Sequence, residues 1–363
     1  MKLRIVVFAG IAGLIGALAA CGGAGATSNP PQDPSGPAAS TQAAEASGPT
    51  EGPARGPARG PARGMEGPVA PSSSDDVKKG IAALKAGDLN GARAAFEVAT
   101  KKNPNQADAY HYLALVQDQT GQKSDAEKNY RKALALDPNL EESAINLAAI
   151  LVETGKHDEA ANLMSKAIAK NPRNAALQVN LGTALSGKND VAGANKAFEE
   201  AIKLEPNNGI HLVTYAGHLA RHGKKNEAIQ KLKQAEKVAA NDPGVLASIA
   251  LEYKGLKDFK TCVAVLDKAV GLEDVAELRI YRGTCKLGLQ DLPGATTEFK
   301  DAVAKEPHNA LAHYSLGNAL ADSGKLTEAI AEWQKYLELQ PSGPHAKAAE
   351  KKIAIAKAKA GGK

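Results

Sequence analysis

The stretch ADAYHYLALVQDQTGQKSDAEKNYRKALALDPNL, Ala107 to Leu140, decides the fold. Tyr110, Leu113, Ala114 and Gln117 recur at helical spacing and lie on one flank of a helix. Gly121 ends that helix, because glycine takes the left-handed conformation of a C-terminal cap without steric cost. Ala126, Tyr130 and Ala133 follow at spacings of four and three, so they share a face of a second helix. Pro138 has no N–H to continue the ladder and stops it. The stretch is a helix–turn–helix closed by a proline.

The same unit extends in both directions. Pro104, Pro138, Pro172 and Pro206 stand 34 residues apart, as do Pro307 and Pro341, and the 101 residues from Pro206 to Pro307 are three periods less one. Upstream, Gly80, Gly87, Ala92, Phe96, Ala99 and Pro104 repeat the grammar. Downstream it recurs with Ala148, Gly155, Ala160, Met164 and Ala167, then with Gly182, Ala194, Phe198 and Ala201, then with Ala216, Gly223, Ala228, Leu232 and Ala235. A sixth copy, with Ala250, Cys262, Leu266 and Ala269, is one residue short and carries Asp274 in place of proline. Gly283, Ala295, Phe299 and Ala302 mark the seventh, and Leu316, Gly317, Gly324, Ala329 and Trp333 the eighth.

These residues resemble the tetratricopeptide repeat, whose signature is small residues at positions 8, 20 and 27, glycine near 15, a bulky residue at 24 and proline at 32. The resemblance implies an all-α solenoid of about eight helix pairs over residues 75–341. The small residues let antiparallel helices approach closely, and stacking buries faces that no single repeat can bury. Residues 342–360 hold Ala346, Ala349, Ile353 and Ala356 on one stripe with lysines around it, the pattern of a capping helix.

Before the repeats the composition changes. Lys2 and Arg4 precede an uncharged apolar run, Ile5 to Ala20, that is shorter than the roughly 20 residues a spanning helix needs. Residues 1–20 read as a signal peptide. Leu18-Ala19-Ala20-Cys21 resembles the bacterial lipobox, which implies cleavage before Cys21 and acylation of its sulfur and amine. Several acyl chains together hold a protein on a bilayer where one does not. Gly22, rather than Asp, after Cys21 points by the same resemblance to the outer membrane, facing the periplasm. Residues 21–74 are dominated by Ala, Gly, Pro and Ser and read as a disordered tether. As a flexible coil it spans about 40 Å. Within it, GPARGPARGPARG, Gly52 to Gly64, has period four and is not collagen-like. Its three arginines lack interleaved aromatics, so no nucleic acid is expected as a partner. A net charge of +5, with Lys2 and Arg4 inside the leader, leaves the remainder close to balance.

Chemistry is sparse. GTALSGKN, Gly182 to Asn189, falls short of a phosphate-binding loop because Asn189 replaces the metal-binding hydroxyl and no strand precedes it. His218 and His222 have metal-ligand spacing but no third ligand, and read as surface histidines. No cofactor, metal, small-molecule substrate or enzymatic activity is expected. Cys262 and Cys285 fall where antiparallel neighbours can meet, and are either a disulfide or two small core residues.

In the resembled family, ligands lie along the concave face lined by the first helix of each pair. The corresponding positions give Ile81, Leu84, His111, Leu115, Ile145, Val179, Val213 and Tyr314, with Asn146, Asn180 and Asn318 as amides able to bond a peptide backbone in both directions. The expectation is a lipid-anchored scaffold that binds segments of other envelope proteins in an apolar groove and helps assemble an envelope complex. Two alternatives are a self-assembling structural lipoprotein and a metal-dependent enzyme built on the histidine pair.

Overall fold

A computed structural model describes residues 74–361. The expectations for residues 1–20, Cys21 and nearly all of the tether fall outside them. Sixteen helices form eight antiparallel pairs. These are α1 (Asp75–Lys85) with α2 (Leu89–Lys102), α3 (Ala107–Gln119) with α4 (Lys123–Leu136), α5 (Glu141–Glu153) with α6 (His157–Lys170), and α7 (Ala175–Gly187) with α8 (Val191–Leu204). Then follow α9 (Gly209–Arg221) with α10 (Lys225–Val238), α11 (Pro243–Gly255) with α12 (Phe259–Leu272), α13 (Ala276–Gly288) with α14 (Leu292–Lys305), and α15 (Ala310–Asp322) with α16 (Leu326–Leu339). A seventeenth helix, α17 (Ala346–Gly361), packs on α16 and closes the stack. Among the described residues no helix is long and apolar enough to cross a membrane.

Short polar side chains start many of these helices. Asp88 accepts from the Gly91 amide at 2.8 Å, Asp190 from Gly193 at 2.9 Å and Asp291 from Gly294 at 2.9 Å, each satisfying a donor left free in the first turn. Inside a pair the turn falls at position 15, and all eight repeats place φ above zero there. Gly87, Gly121, Gly155, Gly223 and Gly324 do so freely. Asn189, Lys257 and Gln290 adopt the same left-handed turn at φ of 64°, 59° and 62° with side chains attached.

The core is set by two sizes. All eight residues at position 20 (Ala92, Ala126, Ala160, Ala194, Ala228, Cys262, Ala295 and Ala329) are fully buried. Position 8 is glycine in just those repeats whose position 24 is Phe or Trp. A Cβ added to Gly80 would lie 2.4 Å from the Phe96 ring, one on Gly182 2.9 Å from Phe198, and ones on Gly283 and Gly317 2.6 Å from Phe299 and Trp333. Where position 8 is alanine, position 24 is Tyr130, Met164, Leu232 or Leu266. The position-24 ring also reaches the next repeat: Phe96 stacks on Tyr112 with centroids 5.4 Å apart, and Phe198 on Tyr215 at 5.3 Å.

Candidate functional site: the inner helical face

Each odd-numbered helix packs on its own partner, and odd helices also pack directly on one another: α5 on α7, α7 on α9, α9 on α11. Consecutive even-numbered helices do not pack on one another to a comparable extent. The stack therefore curves with the odd helices inside, and their free faces form its inner surface.

Of the eleven residues expected to line this surface, six do not. Ile81, Leu84, His111, Leu115, Val179 and Val213 are buried, between 1% and 6% exposed. The five apolar side chains are shut between neighbouring helices, and His111 is turned onto Ser143. Ile145, Asn146, Asn180, Tyr314 and Asn318 are half-buried. The amides are not equivalent. Asn180 spends its NH2 on the Ala176 carbonyl of its own helix, at 2.8 Å. Asn318 Oδ1 accepts from Trp333 Nε1 at 3.1 Å and from Lys352 Nζ at 3.0 Å, so α17 already engages it. Tyr314 stacks on His345 with ring centroids 4.4 Å apart, at the entry to the same helix. Asn146 differs: its buried Nδ2 has no hydrogen-bond partner.

The accessible inner surface thus centres on α5 to α13. It offers Ile145, Asn146, Ala149 and Val152 on α5, Ala176, Asn180 and Thr183 on α7, Thr214 and Gly217 on α9, Leu251, Glu252 and Lys254 on α11, and Thr284 and Leu287 on α13. Most are small or apolar. Glu252 and Lys254 are the charged groups that sequence reasoning did not single out. Burial raises the Glu252 carboxyl to about 6 against the opposing pull of Arg221, and burial lowers the Lys254 amine. Gly217 stands beside Glu252, where an added Cβ would meet its Oε1 at 3.0 Å. At the other end Glu142 is raised by burial and by Glu141.

The histidine pair is not a surface pair. His218 is fully buried, its Nδ1 2.8 Å from Ser186 Oγ and its Nε2 3.1 Å from Asn195 Oδ1. His222 Nε2 reaches the same serine oxygen at 3.3 Å. Burial, then His222, Arg221 and Lys224, lower His218 to about 4. His111 is held likewise, Nδ1 2.8 Å from Ser143 Oγ, and burial lowers it to about 4. Both histidines are neutral bridges between consecutive repeats. Among the described residues no three His, Cys, Asp or Glu side chains are grouped to hold a metal ion. Cys262 on α12 and Cys285 on α13, both fully buried, are joined in a disulfide with Cα atoms 6.1 Å apart.

Profiles of the tetratricopeptide repeat match residues 81–240 and 282–344. The crystal structure of yeast Tom70 is similar, with a TM-score of 0.65 and 19% identity, over 81% of this chain and 66% of that one, just under two thirds of its length. A tetratricopeptide repeat protein from Parabacteroides merdae gives a TM-score of 0.50 at 19% identity, over 68% of this chain and 98% of that one. At these identities the likeness is one of fold. No curated protein sequence matches the chain.

Proposed function

Since the chain belongs to the tetratricopeptide-repeat family, a family of protein–protein interaction scaffolds, we propose that it holds a partner's polypeptide segment along α5 to α13 while anchored through Cys21 to a bacterial envelope membrane. The observation that carries the binding reading is the inner face itself. It is an open run of half-buried Ile, Val, Ala and Thr side chains, with Asn146, whose Nδ2 is buried and unpaired, among them. A buried donor without a partner costs about 1–3 kcal/mol, and a turn of the Asn146 side chain would bring it to a backbone carbonyl of a bound segment. The Cys262–Cys285 disulfide fits an oxidising compartment such as the periplasm, which supports the envelope reading. Outer-membrane attachment follows from Gly22 after Cys21.

Photocrosslinking in cells tests the binding face. Reactive side chains at Ile145 or Thr183 should give discrete adducts with one protein. One at Val98, 40% exposed on α2, should not. Adducts at Val98 alone would overturn the assignment. Detergent partition tests the anchor separately: the native protein should enter the detergent phase, and Cys21→Ser should remain aqueous. An aqueous native protein removes the membrane from the reading and leaves the groove standing.

A further inference from the structure

The apolar core of the stack parts along α13. Leu278 and Cys285 belong to the cluster that runs back to α7, whereas Ala276 and Ile280 belong to the one that runs forward to α17. The same place is irregular in sequence: the sixth repeat is one residue short, Asp274 stands where six other junctions have proline and the fifth has Ala240, and the two family matches stop on either side of 241–281.

Two unlike fastenings hold α13. Towards α14 it is held ionically. Glu298 on α14, 3% exposed, accepts from Arg282 Nη2 at 2.7 Å, Lys286 Nζ at 2.7 Å and Arg279 Nη1 at 3.3 Å, all on α13. Burial alone would raise this carboxyl, but the hydrogen bonds from Arg282 and Lys286 bring it below the usual range. Arg279 also pairs with Asp301 of α14. Towards α12 the fastening is the Cys262–Cys285 bond, with the exposed Arg282–Asp267 pair beside it at 2.9 Å. The link between α12 and α13 is the short run Glu273–Val275, where Asp274 binds Arg279 and Lys305.

We propose that the Cys262–Cys285 disulfide is a redox-controlled joint. With the bond formed, repeats one to eight make one continuous stack. When a dithiol reduces it, two electrons and two protons convert the bond to two thiols and the dithiol becomes a disulfide. The α12–α13 contact then rests on the packing of Leu278 and Cys285 against Val265, Leu266 and Ala269 and on the exposed Arg282–Asp267 pair, while the ion pairs keep α13 on α14. The stack opens between α12 and α13, pivoting on Glu273–Val275. The last two repeats move with α17 as a unit, and the inner face is interrupted between Leu251 and Leu287.

Hydrogen exchange on the full chain, oxidised and after treatment with dithiothreitol under native conditions, tests this, with reduction verified by thiol count. Amides of α12 and α13 at their shared face should exchange at least about tenfold faster, while α1 to α10 and α15 to α17 keep their protection. The variant Cys262→Ser with Cys285→Ala, without reductant, should reproduce the pattern. Unchanged exchange after complete reduction overturns the joint. So does a uniform loss of protection over all helices, which marks a bond that only adds global stability. A bond that a dithiol cannot reach without denaturant overturns the switch.

Discussion

Replacing a helical glycine by alanine should have opposite effects at two sites in this molecule. Gly271, inside α12, has nothing within 4 Å of an added Cβ. There, only backbone propensity acts, and Gly271→Ala should stabilise by about 0.5–1 kcal/mol. Gly283, inside α13, faces Phe299, whose Cε1 would be 2.6 Å from the new carbon and whose Cζ would be 2.9 Å away. Aromatic carbons rarely sit nearer than about 3.4 Å to a methyl carbon, so the ring must retreat by nearly 1 Å. Phe299 is 1% exposed, so the ring must move within the packed interior. Overpacking of this kind costs about 1–3 kcal/mol. Less the propensity gain, Gly283→Ala should lose about 1–2 kcal/mol. Phe299→Leu removes the clash, so the pair Gly283→Ala with Phe299→Leu should be less destabilised than the sum of the singles by about 1–2 kcal/mol. Exchange of the α13 and α14 amides reads this locally, which suits a repeat protein whose unfolding need not be all-or-none. Additivity within about 0.5 kcal/mol, or the same sign at Gly271 and Gly283, would refute the pairing of positions 8 and 24.

Three further outcomes are expected. Gln290→Gly should stabilise by about 1 kcal/mol, because Gln290 holds φ of 62° where five other repeats have glycine; a lowered thermal midpoint would contradict that reading of the turn. Stability should fall as the pH drops from 6.5 to about 4. His111 and His218 stay neutral in the folded chain down to about 4 while their unfolded forms take up protons from 6.5. Each contributes a slope of about 1.4 kcal/mol per pH unit in that window, and Ser186→Ala should leave the His111 share intact; denaturant titrations at pH 7 and 5 that coincide would contradict it. On the partner side, Asn146→Ala should weaken binding of the crosslinked partner by about 1–3 kcal/mol and Asn180→Ala by less, since the Asn180 NH2 is already spent on Ala176; the reverse order in a titration would displace the bound segment from α5.

The repeat register was legible because it rests on covalent facts. Proline cannot continue a helix, and residues at positions 20 and 27 are small because helices touch there. The turns at Asn189, Lys257 and Gln290 were hidden, since the left-handed conformation is imposed there by the repeat length and not requested by a glycine. The groove was half legible. Periodicity places Ile81 and Val213 on the inner helices, but whether such a residue faces the hollow or the adjacent helix depends on curvature, which no single repeat encodes. Asn318 was assigned to a ligand that Lys352, 34 residues on, replaces. His218 looked exposed because its partners are Ser186 and Asn195, 32 and 23 residues away on two other helices.

A common logic links the buried polar groups to the way the core is divided. The apolar core also parts along α3, where Ala114 and Leu115 belong to different clusters, and along α7, where Leu177 and Val179 do. Each parting is crossed by something other than an apolar contact: His111 to Ser143 from α3 to α5, Ser186 to His218 from α7 to α9, and the Glu298 ion pairs from α13 to α14, with the disulfide beside them inside one cluster. Apolar packing is non-directional, so at a seam with little of it a small slide of one repeat over the next costs little. A hydrogen bond between buried groups does not tolerate the slide, because both partners would lose their pairing in a low dielectric. The polar ties therefore fix the relative position of neighbouring bodies where the oily contacts do not, and two signals act on them: acid at the two histidine bridges, and a dithiol at the bond beside the third seam.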